Sequence, residues 1–402
     1  MLIYLKDFTI TPETFSPDFM KIALSWIKTG DPKTGLEVFA QRFISALAGL
    51  DKENQYLVTG AFWRRYRLRS QETKNSLPDH FACVFRRRPR NLENFLDWRL
   101  SLFLQERALL KEGIDIYHGI DQTLPPLKRI RSIITVHDIG FKVHPEWFPV
   151  TGAPFAWHNT FERALRQSDR VIAISRHTRD EILSYYSFKP EKVRVVYYGG
   201  TGKEFQPIED TNVLDSFRNQ YHLKGRFILS VAPTAPHKNM VRLVQAFGLI
   251  AKELPEINLV LAGGPGKDHP AILAMAKKMG VAEKMIFLPV LPNSELVFLY
   301  NLAEIFVFPS LYEGFGLPVL EAMSCGCPVV ASRATSLPEV AGDAALLVDP
   351  YQPEDIASAM KKLLEGRDLQ AELRARGLEQ ARRFSWEKTA GETLAIYREL
   401  SG

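Results

Sequence analysis

Cysteine is scarce: Cys83, Cys325 and Cys327 are the only three in 402 residues. An odd count, with one residue between the last two, gives neither a disulfide framework nor a zinc ligand set. Long apolar runs are missing too. No stretch of about 18 uncharged apolar residues occurs, and Asp7 arrives before a signal-peptide core could form, so a cytoplasmic protein is expected. The common phosphate-binding sequences of α/β proteins are also absent. Gly263-Gly264-Pro265-Gly266 runs into Lys267-Asp268-His269 and fails the Gly-x-Gly-x-x-Gly fingerprint. Gly266-Lys267 is followed by Asp268, so it makes no Walker A. Neither Gly-x-Ser-x-Gly nor His-Glu-x-x-His occurs, which argues against a nucleophile-elbow hydrolase and a zincin. There is no Asp-x-Asp pair for a divalent ion. No metal and no cofactor are therefore expected, and any bound phosphate must be met by the protein itself.

What is present is a globular composition, 46% hydrophobic, in a chain too long for one ordinary core. Two domains follow. The net charge of +5 is unevenly spread, since residues 1–200 carry 30 Lys and Arg against 22 Asp and Glu. Much of that surplus lies in Arg64, Arg65, Arg67 and Arg69, interleaved with Trp63 and Tyr66, and in Arg86, Arg87, Arg88 and Arg90. A solvated basic face accounts for these clusters, and so does an anionic partner such as lipid head groups at the inner face of a membrane. Nucleic acid is not expected, because no helix-turn-helix, zinc-finger or RNA-recognition signature accompanies the charge.

Short β-branched runs alternate with helical patterns. In the first half strands are predicted near 56–59, 114–118, 132–136, 170–174 and 193–198, with helices at 36–50, 94–111 and 176–186. In the second half strands are predicted near 227–232, 258–262, 285–289, 305–308, 328–332 and 345–348. Such alternation marks parallel sheets covered by crossover helices, here two doubly wound, Rossmann-like domains. Gly199-Gly200 and the polar stretch after it suggest a hinge, which sets the domains at 1–199 and 200–385.

The chemistry concentrates in residues 305–332, a strand, a glycine-containing turn, a short helix from about Pro318, and another strand. Pro318 suits a first helical turn and Gly326 a C-terminal cap. Gly314 and Gly316 let the loop bring a ligand close to backbone N–H groups at the helix start. Glu313 and Glu321 would stand at the carboxyl edge of a parallel sheet, where ligands bind in such folds. They could accept hydrogen bonds from sugar hydroxyls, or merely complement the helix dipole, and spacing alone leaves both open.

Glu313-Gly314-Phe315-Gly316-Leu317-Pro318-Val319-Leu320-Glu321 resembles the E-x7-E signature of retaining family 4 glycosyltransferases. The likeness continues through Gly326-Cys327-Pro328-Val329-Val330 and Ser336-Leu337-Pro338-Glu339-Val340-Ala341-Gly342. It implies a GT-B fold: two Rossmann-like domains facing a cleft, with residues 386–402 returning to the first. The resemblance gives Glu313 the donor-sugar hydroxyls, the amides of Phe315, Gly316 and Leu317 the sugar or diphosphate, and Glu321 the ribose diol. Lys238 looks like the family's phosphate lysine, and Gly264 falls where the base approaches. His237 replaces the usual Arg of an R-K-N triplet; it is either a neutral loop donor or a group that bound phosphate makes charged, in which case donor affinity weakens as pH rises through its titration. In the first domain His137 is similar to a strand-end histidine that contacts the donor sugar, Asp138 is a cleft residue, and Lys33-Thr34-Gly35 resembles the acceptor-side glycine loop. Ser175-Arg176 follows another strand end.

The function implied is metal-independent transfer of a mannosyl or glucosyl unit from a nucleotide diphosphate sugar to a polysaccharide or lipid-linked acceptor, with retention. A phosphorylase or epimerase on the same architecture is one alternative. A catalytically silent protein that binds a sugar nucleotide is the other.

Overall fold

A computed structural model of the chain describes residues 19–25, 35–61, 71, 75, 77–78, 81–86, 102–148, 154–232 and 234–401. The arginine clusters from Arg64 to Arg90, save the backbone of Arg86, and Lys33 and Thr34 lie outside these residues. So does the 94–101 part of one predicted helix.

Two wholly parallel sheets organise the described chain. The first holds β1 (Lys21–Ser25), β2 (Gln55–Ala61), β3 (Phe81–Arg86), β4 (Ile116–Gly119), β5 (Arg131–Val136), β6 (Arg170–Ala173) and β7 (Val193–Val195), in the order β3-β2-β1-β4-β5-β6-β7. The second holds β8 (Arg226–Val231), β9 (Ile257–Ala262), β10 (Met285–Leu288), β11 (Ile305–Phe308), β12 (Val329–Ser332) and β13 (Ala345–Val348), in the order β10-β9-β8-β11-β12-β13. Helices cover both, so central strands bury both faces: Phe227, Ile228 and Leu229 in β8 and all four residues of β11 are fully buried. In each sheet the order reverses once, between β1 and β4 and between β8 and β11. This is the doubly wound, two-sheet architecture expected from the sequence.

Two strands escaped the sequence pattern. The segment Lys-Ile-Ala-Leu-Ser of β1 has one β-branched residue, yet it is central, pairs with both β2 and β4, and buries Ile22, Ala23 and Leu24 completely. In Phe-Ala-Cys-Val-Phe-Arg of β3, pairing with β2 alone defines the strand.

Gly199 and Gly200, read as a hinge, are tightly packed: a Cβ on Gly199 would overlap Trp386, and Gly200 has φ 75 beside the Phe384 carbonyl. The chain therefore leaves the first sheet against the same point at which it later returns. The final helix, Trp386–Ser401, packs on the helix Gly35–Leu50 and buries Tyr397 completely. Tyr397 and Thr135 engage the two ring nitrogens of His118 at 2.6 and 2.7 Å. Burial pushes His118 down to about 3, so the ring is neutral and the network uncharged. Replacing Tyr397 by Phe leaves a buried ring nitrogen without its partner. The expected loss is about 1–3 kcal/mol in urea unfolding with unchanged helix content, and no loss would remove His118 as the anchor of the returning helix.

Candidate functional site

The strands flanking the second reversal end side by side, and their loops carry most of the polar residues singled out in the sequence. After β8 comes Ala232 to Asn239, and after β11 comes Pro309 to Gly316. Short bonds lock the two loops together. The Leu311 N–H donates to the His237 carbonyl at 2.7 Å, and the Asn239 amide donates to the carbonyls of Pro309 at 3.0 Å and Pro350 at 2.7 Å. Asn239 is buried with φ 61, a left-handed conformation that asparagine tolerates better than most residues. Sequence reading passed it over, although it completes the His-Lys-Asn triplet.

Asn239 turns Lys238 inward, where Nζ donates to Glu313 Oε1 at 2.6 Å. Both side chains are largely enclosed, at 15% and 12% exposure. The loop beyond Glu313 is braced by the Ser336 hydroxyl, which reaches the carbonyls of Glu313 at 3.0 Å and Phe315 at 2.8 Å. At Gly314 a Cβ would overlap the His137 carbonyl oxygen of the other half, and Gly316 has φ 112. Glycine is thus required at both places, once for approach and once for backbone angle. Phe315 is buried against Tyr198 and Phe384, and Leu317 opens the helix Leu317–Ser324 with Pro318 in its first turn. The loop thus leads directly into the N-terminus of that helix, the end that favours an anion.

Glu321 lies one turn farther into that helix, past the first turn expected for it, so it is no helix-dipole complement there. Tyr300 donates to its Oε2 at 2.9 Å. Burial pushes the Glu321 carboxyl up to about 7, against the opposing pull of Tyr300 and of Arg42. Tyr300, fully buried, is another residue that no local pattern singles out.

Across the cleft, His137 follows β5 directly, in a buried position. Its Nε2–H donates to the Ile120 carbonyl at 2.8 Å, which leaves Nδ1 to accept from the Tyr198 hydroxyl. Burial lowers the ring to about 4. A sugar contact through this ring needs one of those bonds to be exchanged. Asp138 Oδ1 accepts from the Gly140 N–H at 2.9 Å, and burial together with nearby Glu313 and Glu181 raises its carboxyl.

The His237 ring stacks on Phe148 from the first half, with centroids 4.8 Å apart, and burial, then Lys238, push it down to about 4, which favours the neutral of the two roles open to it. Gly264 has φ 77 and lies against Val290, while Gly35 starts its helix exposed with no described residue close to it. Nothing among the described residues demands glycine at 35. Ser175 is the N-cap of Arg176–Tyr186, and the backbone N–H groups of Arg176 and His177 both donate to Glu339, at 3.0 Å each. Tyr197 adds a third bond to that carboxylate at 2.8 Å. Glu339 was visible only as part of a motif; its partners are more than 140 residues away.

A family model described as glycosyl transferases group 1 matches residues 214–383, and one described as glycosyltransferase family 4 matches residues 34–199. The O-antigen chain mannosyltransferase B of Escherichia coli is 31% identical over 332 residues, covering 82% of this chain and 85% of that one. The chain belongs to the group 1 glycosyltransferases. This glycosyltransferase is also 38% identical to the serotype-specific mannosyltransferase WbdA of Escherichia coli over 60% of its own length, which is only 29% of that longer protein. Among solved structures, sucrose-phosphate synthase from Thermosynechococcus elongatus superposes with a TM-score of 0.72 at 22% identity, covering 95% of this chain and 99% of that one. Anabaena HepE in complex with UDP-glucose gives 0.70 at 19%, covering 94% and 100%. The two-sheet fold of the glycosyltransferase is therefore GT-B. Among its described residues no helix is long and apolar enough to cross a membrane.

The raised Glu321 carboxyl has a stability consequence. From its ordinary 4.5 to the folded value near 7 the native state holds a proton that the unfolded state has lost, so stability falls as pH rises through that window. Glu321→Gln keeps the Tyr300 bond and removes the titration. The variant is expected to be more stable than the wild type by about 1–3 kcal/mol at alkaline pH, with the advantage vanishing in acid, as read by unfolding at several pH values.

Proposed function

We propose that this glycosyltransferase moves a hexosyl unit, mannosyl or glucosyl, from a nucleotide diphosphate sugar to a hydroxyl of a growing polysaccharide or lipid-linked glycan, with retention and without a metal ion. The observation that carries the reading is the meeting of Lys238, Glu313 and the amide-rich start of Leu317–Ser324 at one sheet reversal. A cation and free amides suit a diphosphate, and an enclosed carboxylate suits sugar hydroxyls. Glu321, one turn away, would take the ribose diol with the oxygen that Tyr300 leaves free. Mannosyl is favoured over glucosyl by the names of the relatives, which include an α-(1→4)-mannosyltransferase of Mycolicibacterium hassiacum, 32% identical over 60% of this chain and 58% of that one.

In the proposed reaction the bond between the anomeric carbon and the diphosphate oxygen breaks as the acceptor oxygen bonds to the same face. The acceptor proton passes to the departing phosphate. Lys238 and the loop amides hold the charge that develops on the leaving group, and the closed cleft keeps water from competing. A covalent enzyme intermediate is the poorer account. Of the carboxylates here, Glu313 is engaged by Lys238, and Asp138 is held toward its neutral form.

The first test is thermal shift with UDP-, GDP-, ADP- and dTDP-sugars, with chelator and with added magnesium. One nucleotide series is expected to raise the melting temperature by about 2–4 °C at saturation in the wild type and not in Glu321→Ala. No shift from any donor sinks the reading. The pH dependence follows from Glu321, because His237 is already neutral. Donor affinity is expected to fall by about tenfold from pH 8 to pH 6 as the carboxylate takes up its proton. Calorimetric titrations showing tighter binding in acid would remove Glu321 from the ribose role.

A further inference from the structure

Lys238 and Glu313 are the phosphate-side cation and the sugar-side carboxylate of the proposed donor site, and they are bonded to each other. Both are mostly enclosed, so neither is well served by water once its partner leaves. Around them the charge is acidic. Asp138 and Glu181 are close enough to act on the same region, and Tyr312 donates to Glu181 at 2.7 Å. His237, beside Lys238, adds no positive charge.

A nucleoside diphosphate arriving alone must draw Lys238 toward its phosphates. That draws the cation away from Glu313 and leaves an enclosed carboxylate facing a new anionic group. A sugar nucleotide makes the same demand on Lys238 but brings hydroxyls that donate to Glu313 in exchange. We propose that the Lys238–Glu313 pair makes the site select the sugar-bearing nucleotide over the nucleoside diphosphate left after transfer. Glu313 thus becomes a specificity determinant between donor and product, and it hastens product release by reclaiming Lys238. The inference rests on the donor reading above.

The test is the ratio of dissociation constants for UDP against UDP-glucose and for GDP against GDP-mannose, in the wild type and in Glu313→Gln, by calorimetry with chelator. Glu313→Gln removes the charge but keeps the shape. It is expected to bind the bare diphosphate about tenfold more tightly than the wild type while gaining nothing for the sugar nucleotide, so the discrimination collapses. Product inhibition in steady-state assays should strengthen in parallel. Diphosphate affinity that is unchanged or weaker in Glu313→Gln overturns the proposal, and so does equal tightening of both ligands. Glu313→Ala is expected to move in the same direction and serves if Glu313→Gln does not fold. The two readings fail differently. If the wild type binds neither partner of either pair, the donor site itself is wrong; if it binds them and Lys238→Ala abolishes that binding, an unchanged ratio in Glu313→Gln rejects the selection mechanism alone.

Discussion

A lysine and a glutamate 75 positions apart meet in this protein because two neighbouring parallel strands send their connections in opposite directions. At such a reversal the connections of β8 and β11 leave on opposite sides of the sheet, which opens a crevice at the carboxyl ends where both loops meet. The Lys238–Glu313 bond spans that opening. Its surroundings serve to hold it: Asn239 fixes the backbone that aims the lysine, and the Ser336 hydroxyl fixes the loop that carries the glutamate. A largely enclosed ion pair is costly unless its geometry is well supported, which is why so many backbone carbonyls near it are tied down.

The second constraint is the closeness of the two halves. The Gly314 backbone lies against the His137 carbonyl, Phe148 covers His237, and Tyr312 reaches Glu181 from across the cleft. Glu339 adds a contact on the same helix as Glu181 by accepting from the first two N–H groups of Arg176–Tyr186, a place where a carboxylate meets both orphan donors and the positive end of the helix dipole. Crowding of this kind desolvates every titratable group it covers. Two histidines are lowered to about 4 and Glu321 is raised to about 7 for the same reason, that burial disfavours whichever form is charged.

The arrangement was partly legible in the residues. Alternating strand and helix patterns gave both sheets, except where β1 relied on Ala and Ser buried on both faces and so showed no alternation. The glycines at 314 and 316 and the proline at 318 read correctly as a turn into a helix, because local backbone geometry leaves few residue types for such positions. The surroundings of His237 were not legible: Phe148, 89 positions upstream, stacks on its ring, and nothing near it in the chain announces that contact.

Sequence by itself determined what depends on neighbours along the chain: the strand and helix periods, the turn chemistry around Glu313, and the resemblance that placed the chain among glycosyltransferases. Only the tertiary structure decided which charges face each other and which are silenced. It bonded Lys238 to Glu313, occupied both nitrogens of His137, set Tyr300 on Glu321 and laid Glu339 across the cleft. Local order follows from short-range sterics and hydrophobic period, whereas protonation and pairing follow from burial and distance between residues that the chain brings together only when both sheets are complete.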